Sequence, residues 1–118
     1  TCWISNPTAT STTRCGVFGA SGAITTVATT TSANNRKVDG NGWIPVNFTS
    51  ISSGAPIGNL PVDPVNNATY YYAYAASSSL TFEIDTFLES AKYTSYMTTD
   101  GGDSAVAYEV GTASGLAL

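Results

Sequence analysis

Hydrophobic and polar positions alternate most clearly between residues 69 and 85. A tyrosine-rich run at 69–75 and a second apolar segment at 80–85 flank three serines at 77–79, which are typical of a turn. The alternation predicts an antiparallel hairpin with one face buried and the other in water. In the second strand the predicted buried face carries Leu80, Phe82 and Ile84, and the predicted solvent face carries Thr81, Glu83 and Asp85.

Shorter patterns predict further elements along the chain. β-Branched residues at 23–31 predict an extended strand or a sheet edge, and alternation at 105–110 predicts a last strand. Glycine-containing turns are expected at 39–42 and 100–103, and residues 87–93 predict one helical turn. These patterns describe a β-rich chain with little helix.

Proline punctuates the region between the first turn and the hairpin. Pro56, Pro61 and Pro64 exclude a helix or a central strand there and predict a rigid, extended loop. We therefore predict a mainly β fold, a small antiparallel sheet of about three to five strands with long proline-rich loops and little helix.

The length of the chain favours a single domain. Its 118 residues contain no repeat and no linker, so residues 1–118 are expected to share one core. Within that domain, residues 1–35 are rich in threonine and serine, whereas residues 36–113 carry most of the apolar patterning. We expect the second region to form the sheet.

Charge and composition exclude several functions. The chain has no histidine, which removes Ser-His-Asp and Cys-His catalysis, and no two acids lie in a sequence context that predicts separated pKa values. We therefore expect no enzyme activity. Only four bases and a net charge of −4 argue against a surface that binds nucleic acid.

The chain has two cysteines, Cys2 and Cys15, which enclose 12 mostly polar residues. A disulfide that closes this loop is the simplest interpretation, and half of a metal site or two free thiols are the alternatives. A disulfide would imply an oxidising compartment outside the cytosol.

The order of the motifs between residues 36 and 113 resembles the C-terminal globular region of bacterial type IV pilins and of the major pseudopilin of type II secretion. The motifs that carry the resemblance are Gly42–Val46, Ser50–Gly54, Leu60–Asn66, the tyrosine run at 70–74, Leu88–Tyr93, Asp100–Gly102 and Tyr108–Gly111. The resemblance implies an α+β pilin-like head, here without the apolar N-terminal helix that such subunits carry.

A pilin-like head implies a non-catalytic structural subunit of an extracellular filament. In that family the apolar helix anchors the subunit in the membrane before assembly and packs in the filament core afterwards. The resemblance therefore implies a location at the cell surface, contacts with other pilin subunits through the helix and the heads, and roles in adhesion, DNA uptake, motility or secretion. The present chain is expected to be the soluble head, which would reach the membrane only through the missing helix.

The resemblance also implies a possible calcium ion, because related pseudopilins hold Ca²⁺ in a loop near the C-terminal end. The matching segment contains Asp100 and Asp103, and Asp63 is the candidate third ligand if the proline-rich loop folds over it. The alternative is that Asp100 and Asp103 are turn formers that accept hydrogen bonds from the backbone.

A secreted carbohydrate- or surface-binding β module is the alternative function. Trp3, Trp43 and the tyrosines at 70–74 are the candidate aromatic platform, and the competing interpretation places them in the core. The segment encoded upstream of Thr1 distinguishes the two functions. A leader with a cleavage site and an apolar helix favours the filament, and a secretory signal or another domain favours the module.

Overall fold

The fold is a single mixed sheet, seen in a computed structural model that describes residues 1–8, 15, 18, 26–116 and 118. The sheet has the spatial order β2-β1-β3-β4-β5, and its strands are β1 (Cys2–Ile4), β2 (Val27–Ala28), β3 (Ala73–Ala76), β4 (Phe82–Thr86) and β5 (Tyr108–Gly111). Strands β1 and β2 are parallel, and the other neighbours are antiparallel. The mainly β prediction is confirmed.

Helix is confined to short 3₁₀ turns in the described part of the chain. These turns span Phe48–Ser50, Thr94–Thr98 and Ser114–Leu116. The helical turn predicted at 87–93 is therefore displaced towards the C-terminus. Among the described residues, no helix is long and apolar enough to cross a bilayer.

The predicted hairpin is present, but its faces are reversed. Strands β3 and β4 pair in antiparallel register, with Ala75 opposite Glu83 and Ala73 opposite Asp85. Glu83 and Asp85, predicted to face water, are fully buried, whereas Leu80 is 91% exposed and lies in the turn with a positive φ of 63°. The segment 80–85 thus begins its strand two residues later than predicted and turns its acidic face inward.

The pairing of β3 explains this reversal. Ala73 and Ala75 face the same side as Cys2 and Ile4 of β1, because Cys2 lies opposite Ala75 and Ile4 lies opposite Ala73. All four side chains are buried. Since side chains alternate with a period of two, the register that buries the alanines also buries the acids opposite them.

A first core lies on this inner face and includes the disulfide. Cys2 and Cys15 are bonded, which confirms the predicted pairing, and both are buried. Closing a loop of this length stabilises the domain by about 3 kcal/mol in the chain-entropy model. The core comprises Cys2, Ile4, Cys15, Phe18, Tyr71, Ala73 and Ala75, with Val27, Phe87 and Leu118 packed against it.

A second core holds the proline-rich loop on the other side. Trp43 is 2% exposed, and its indole Nε1 donates a hydrogen bond of 2.8 Å to the carbonyl of Pro61. Leu60 packs in the same cluster; its amide donates to the Arg36 carbonyl, and the Arg36 side-chain Nε donates to the Leu60 carbonyl. The region 51–70 therefore forms neither helix nor strand, as predicted, and is anchored by a buried tryptophan.

A buried polar network joins the end of β1 to the segment before β3. The Ser5 hydroxyl donates to Asn66 Oδ1 at 2.9 Å and accepts from the Tyr72 amide, while Asn66 and Asn35 both donate to the Ser5 carbonyl. Because its hydroxyl and carbonyl groups are hydrogen-bonded, the buried Ser5 fixes the position of β1 relative to the segment before β3.

The remaining strand predictions are confirmed in part. The strand predicted at 105–110 is shorter and ends one residue later, as β5. In the predicted extended segment at 23–31, β2 forms at Val27–Ala28, and residues 23–25 lie outside the described residues. The turn predicted at 39–42 is present, since Asp39 Oδ1 accepts from the Asn41 amide.

Candidate functional site

Three carboxylates meet on the inner face of the sheet. Glu83 and Asp85 come from β4, and Glu109 comes from β5, where it lies opposite Asp85 in the strand register. Each offers a carboxylate oxygen within 4.8 Å of the others, and the three side chains are 0%, 0% and 1% exposed. We refer to Glu83, Asp85 and Glu109 as the carboxylate cluster.

Most oxygens of the carboxylate cluster lack a hydrogen-bond donor. Both oxygens of Glu83, both of Asp85 and Oε1 of Glu109 are buried without a partner among the described residues. Glu109 Oε2 is the exception, because it accepts from the Ser104 amide at 2.8 Å. Unpaired buried carboxylates are among the most costly groups in a protein interior, so the cluster needs protons or a cation.

Burial and mutual repulsion change the proton affinity of the cluster. Burial is the main cause that raises the pKa of Asp85 to about 9, and the charge of Glu83 adds to it. Burial likewise raises the pKa of Glu83 to about 7, with further contributions from Glu109 and Asp103. The pKa of Glu109 is also raised, again mainly by burial. In the absence of a cation, the cluster therefore retains protons at neutral pH.

The loop at 100–104 folds over Glu109. Asp100 Oδ2 accepts from the Glu109 amide at 2.8 Å, and Asp100 Oδ1 accepts from the Gly102 amide at 3.1 Å. A side chain added at Gly102 would overlap the Glu109 carboxylate, so the loop approaches the cluster as closely as glycine allows. The loop thus covers the Glu109 side of the cluster.

Substituting Gly102 tests this close approach. The new methyl group of Gly102→Ala would push the Glu109 carboxylate away from the Ser104 amide, and we expect a loss of about 1–3 kcal/mol in the free energy of unfolding. Urea denaturation measures this loss of stability. Gly58→Ala is the matched control, because Gly58 has open space around it and should tolerate the methyl group. Equal stability of the two variants would contradict the contact.

The three residues predicted from the sequence to hold calcium do not meet as a set. Asp63 is buried in the proline-rich loop, where its Oδ1 accepts from the amides of Val65 and Asn66. Asp100 forms its own turn, and Asp103 is exposed in the same loop. Among the described residues, the group that brings three possible ligands together contains none of them. Calcium binding by Asp63, Asp100 and Asp103 stays a prediction.

Sequence reasoning missed the carboxylate cluster. It found no two acids placed to separate their pKa values, and this premise was wrong, because Glu83 and Asp85 are buried side by side with raised pKa values. Their spacing was the available signal: two acids at i and i+2 share one face of a strand. The error lay in assigning that face to solvent.

The opposite face of the sheet is apolar and partly uncovered. Trp3, Tyr74, Ile84 and Val110 are register neighbours on successive strands and form one row across the sheet. Two adjoining grooves with volumes of about 500 and 360 Å³ share Ile44 and Ile84 as lining residues. We call the row of Trp3, Tyr74, Ile84 and Val110, together with Phe82 and Val46 beside it, the apolar strip.

The residues of the predicted aromatic platform do not share one exposed surface, and Trp3, Tyr70, Tyr72 and Tyr74 are half-buried. Trp43 and Tyr71 are buried, and Tyr72 and Tyr74 pack against the second core. A different aromatic pair is exposed: the rings of Tyr93 and Tyr96 lie 6.2 Å apart, with the Lys92 ammonium 5.2 Å from the Tyr93 ring centre. This pair is an exposed aromatic surface outside the predicted platform.

Comparison of the chain with family models, curated proteins and solved structures gives no match.

Proposed function

We propose that this domain is the non-catalytic head of a subunit of an extracellular filament of the type IV pilus or pseudopilus kind. The apolar strip is the observation that carries the proposal. A sheet that is buried on both faces needs a packed layer against each of them. Here the second core covers the face opposite the carboxylate cluster only in part. The layer we propose is the apolar N-terminal helix that the sequence resemblance implies.

The dimensions of the apolar strip suit a helix. The row from Trp3 to Val110 crosses four neighbouring strands, which corresponds to roughly 14 Å, or about nine residues of helix. Its side chains are aromatic or aliphatic, and exposed Val110, Phe82 and Val46 flank the grooves. Apolar ridges of a helix would fill such grooves and gain about 25 cal/mol for each Å² removed from water.

The rest of the surface is compatible with a filament. Charged residues make up 10% of the chain, so identical neighbours would repel each other weakly. The disulfide and the anchored proline-rich loop give a rigid head that resists proteolysis. We therefore propose an extracellular role in assembly and surface display.

A matched pair of valine substitutions tests the proposal in the subunit as its gene encodes it. Val110→Asp places a charge on the apolar strip, whereas Val106→Asp places the same charge on an exposed loop residue outside the strip. We expect Val110→Asp to abolish filaments in electron micrographs of cells that process the subunit, and Val106→Asp to leave them unchanged. Both variants of the isolated domain should fold, because both valines are exposed.

Two results would overturn the proposal. One is a gene that encodes no apolar helix next to this domain. The other is the same filament yield from Val110→Asp and Val106→Asp.

A carbohydrate- or surface-binding module is the second candidate, favoured by the exposed pair of Tyr93 and Tyr96. Aromatic rings near the surface stack on sugar faces, and the neighbouring Lys92 adds a hydrogen-bond donor. Oligosaccharide binding by the isolated domain that is lost in Tyr96→Ala would support this function over the filament.

A further inference from the structure

We propose that the carboxylate cluster of Glu83, Asp85 and Glu109 is a binding site for one calcium ion that joins β4 to β5. The inference is independent of the filament proposal, because the cluster lies on the other face of the sheet from the apolar strip.

The spacing of the carboxylates suits a metal ion. Calcium binds oxygens at about 2.3–2.6 Å, so two ligands of one ion are at most about 5 Å apart. The cluster meets this limit, since one oxygen from each residue lies within 4.8 Å of the others. The three residues sit on two paired strands whose register fixes them, so the site is formed by the fold itself.

The number and type of free oxygens favour calcium over softer metals. Five buried carboxylate oxygens have no donor among the described residues, and calcium takes six to eight oxygen ligands. Water and the neighbouring loop can complete the shell. The described part of the chain offers no histidine or free thiol to such a site, which disfavours zinc and copper.

The burial of the unpartnered oxygens is the second, independent sign of a ligand. Acids that merely cluster on a surface are hydrated, whereas Glu83 and Asp85 are fully buried with all four oxygens unpaired. A proton shared between two carboxyl groups is the competing explanation. The loop at 100–104 packs against the cluster at Glu109, where the Ser104 amide donates to Oε2 and Gly102 lies against the carboxylate.

Calorimetric and thermal titration with Ca²⁺ tests the site at about pH 8. For the intact domain we expect one bound Ca²⁺ and a rise in melting temperature of at least about 5 °C at saturating millimolar calcium, relative to the chelator. Asp85→Asn should weaken calcium affinity at least about tenfold. Glu89→Gln is the matched control, because Glu89 is exposed outside the cluster and its variant should bind like the unaltered domain.

The design separates loss of the site from loss of the fold. Asp85→Asn keeps the size of the side chain, and without calcium at about pH 8 it should be at least as stable as the unaltered domain, since it removes a buried ionisable group. The inference is overturned if the unaltered domain shows no calcium-dependent shift, or if Asp85→Asn keeps the full shift. It is also overturned if Asp100→Asn with Asp103→Asn abolishes binding while Asp85→Asn does not.

Discussion

The domain freed of calcium with a chelator is expected to lose on the order of 6 kcal/mol of its free energy of unfolding between about pH 5 and about pH 8, about 4 kcal/mol of it from Asp85 and the rest from Glu83. The loss comes from the carboxylate cluster. Asp85 and Glu83 have pKa values raised to about 9 and about 7 in the folded domain, above those of exposed carboxyls. The other groups near them are Glu109 on β5 and Asp100 and Asp103 in the loop, all of them acids, and Ala73 and Ala75 on β3 carry no charge.

The sign of this effect follows from where protons bind. Since both folded pKa values exceed those of the unfolded chain, the folded state holds more protons between about pH 4 and about pH 9. The stabilisation is fully present below the unfolded pKa, near 4, and is lost as the pH rises through the folded pKa values. For each pH unit over which one such group is protonated only in the folded state, the free energy of unfolding falls by about 1.4 kcal/mol.

Urea denaturation at several pH values in chelator measures the effect. Asp85→Asn should flatten the profile, because it removes the group with the largest rise in pKa. Glu89→Gln should leave the slope unchanged. A stability that rises with pH in the chelated domain would contradict the account of the cluster.

Replacing Trp43 with alanine is expected to cost about 3–5 kcal/mol of the free energy of unfolding. Trp43 is the largest fully buried side chain, and its ring packs near Tyr72 at a centroid distance of 6.4 Å. Its removal would leave a cavity and an unpaired Pro61 carbonyl between the proline-rich loop and the sheet. Since the ring also lines the larger groove, the apolar strip should lose its shape as well.

Trp43→Phe separates packing from hydrogen bonding. Phenylalanine keeps most of the buried ring but cannot donate to Pro61, so we expect a loss of only about 1–2 kcal/mol. Thermal unfolding of the three proteins in the same buffer gives the comparison. Equal losses for the two variants would mean that the hydrogen bond, and not the volume of the ring, anchors the loop.

The sequence predicts the hairpin but not which face is buried. Alternation from Leu80 to Asp85 specifies two faces, and hydrophobicity alone assigns Phe82 and Ile84 to the core. Which face is buried is set instead by β3, where Ala73 and Ala75 lie against β1 and the disulfide. That choice depends on a pairing between residues 2–4 and 73–75, which no local pattern contains.

The same non-local pairing hides the candidate site. Glu83 and Asp85 can be recognised from the sequence as two acids on one side of a strand, but Glu109 joins them only through the register of β4 with β5. The predicted loop is nevertheless part of the arrangement, since Asp100 and Ser104 hydrogen-bond to Glu109. The sequence therefore predicts the loop that packs against the carboxylate cluster, but not the cluster itself.

We propose that the sheet binds one calcium ion among its acids on one face and receives an apolar helix on the other. Anomalous diffraction from crystals of the domain grown in calcium tests the first half most directly. The account predicts one calcium peak about 2.3–2.6 Å from carboxylate oxygens of Glu83, Asp85 and Glu109. A calcium ion held instead by Asp100 and Asp103, or three carboxyl groups joined by shared protons with no peak between them, would contradict it.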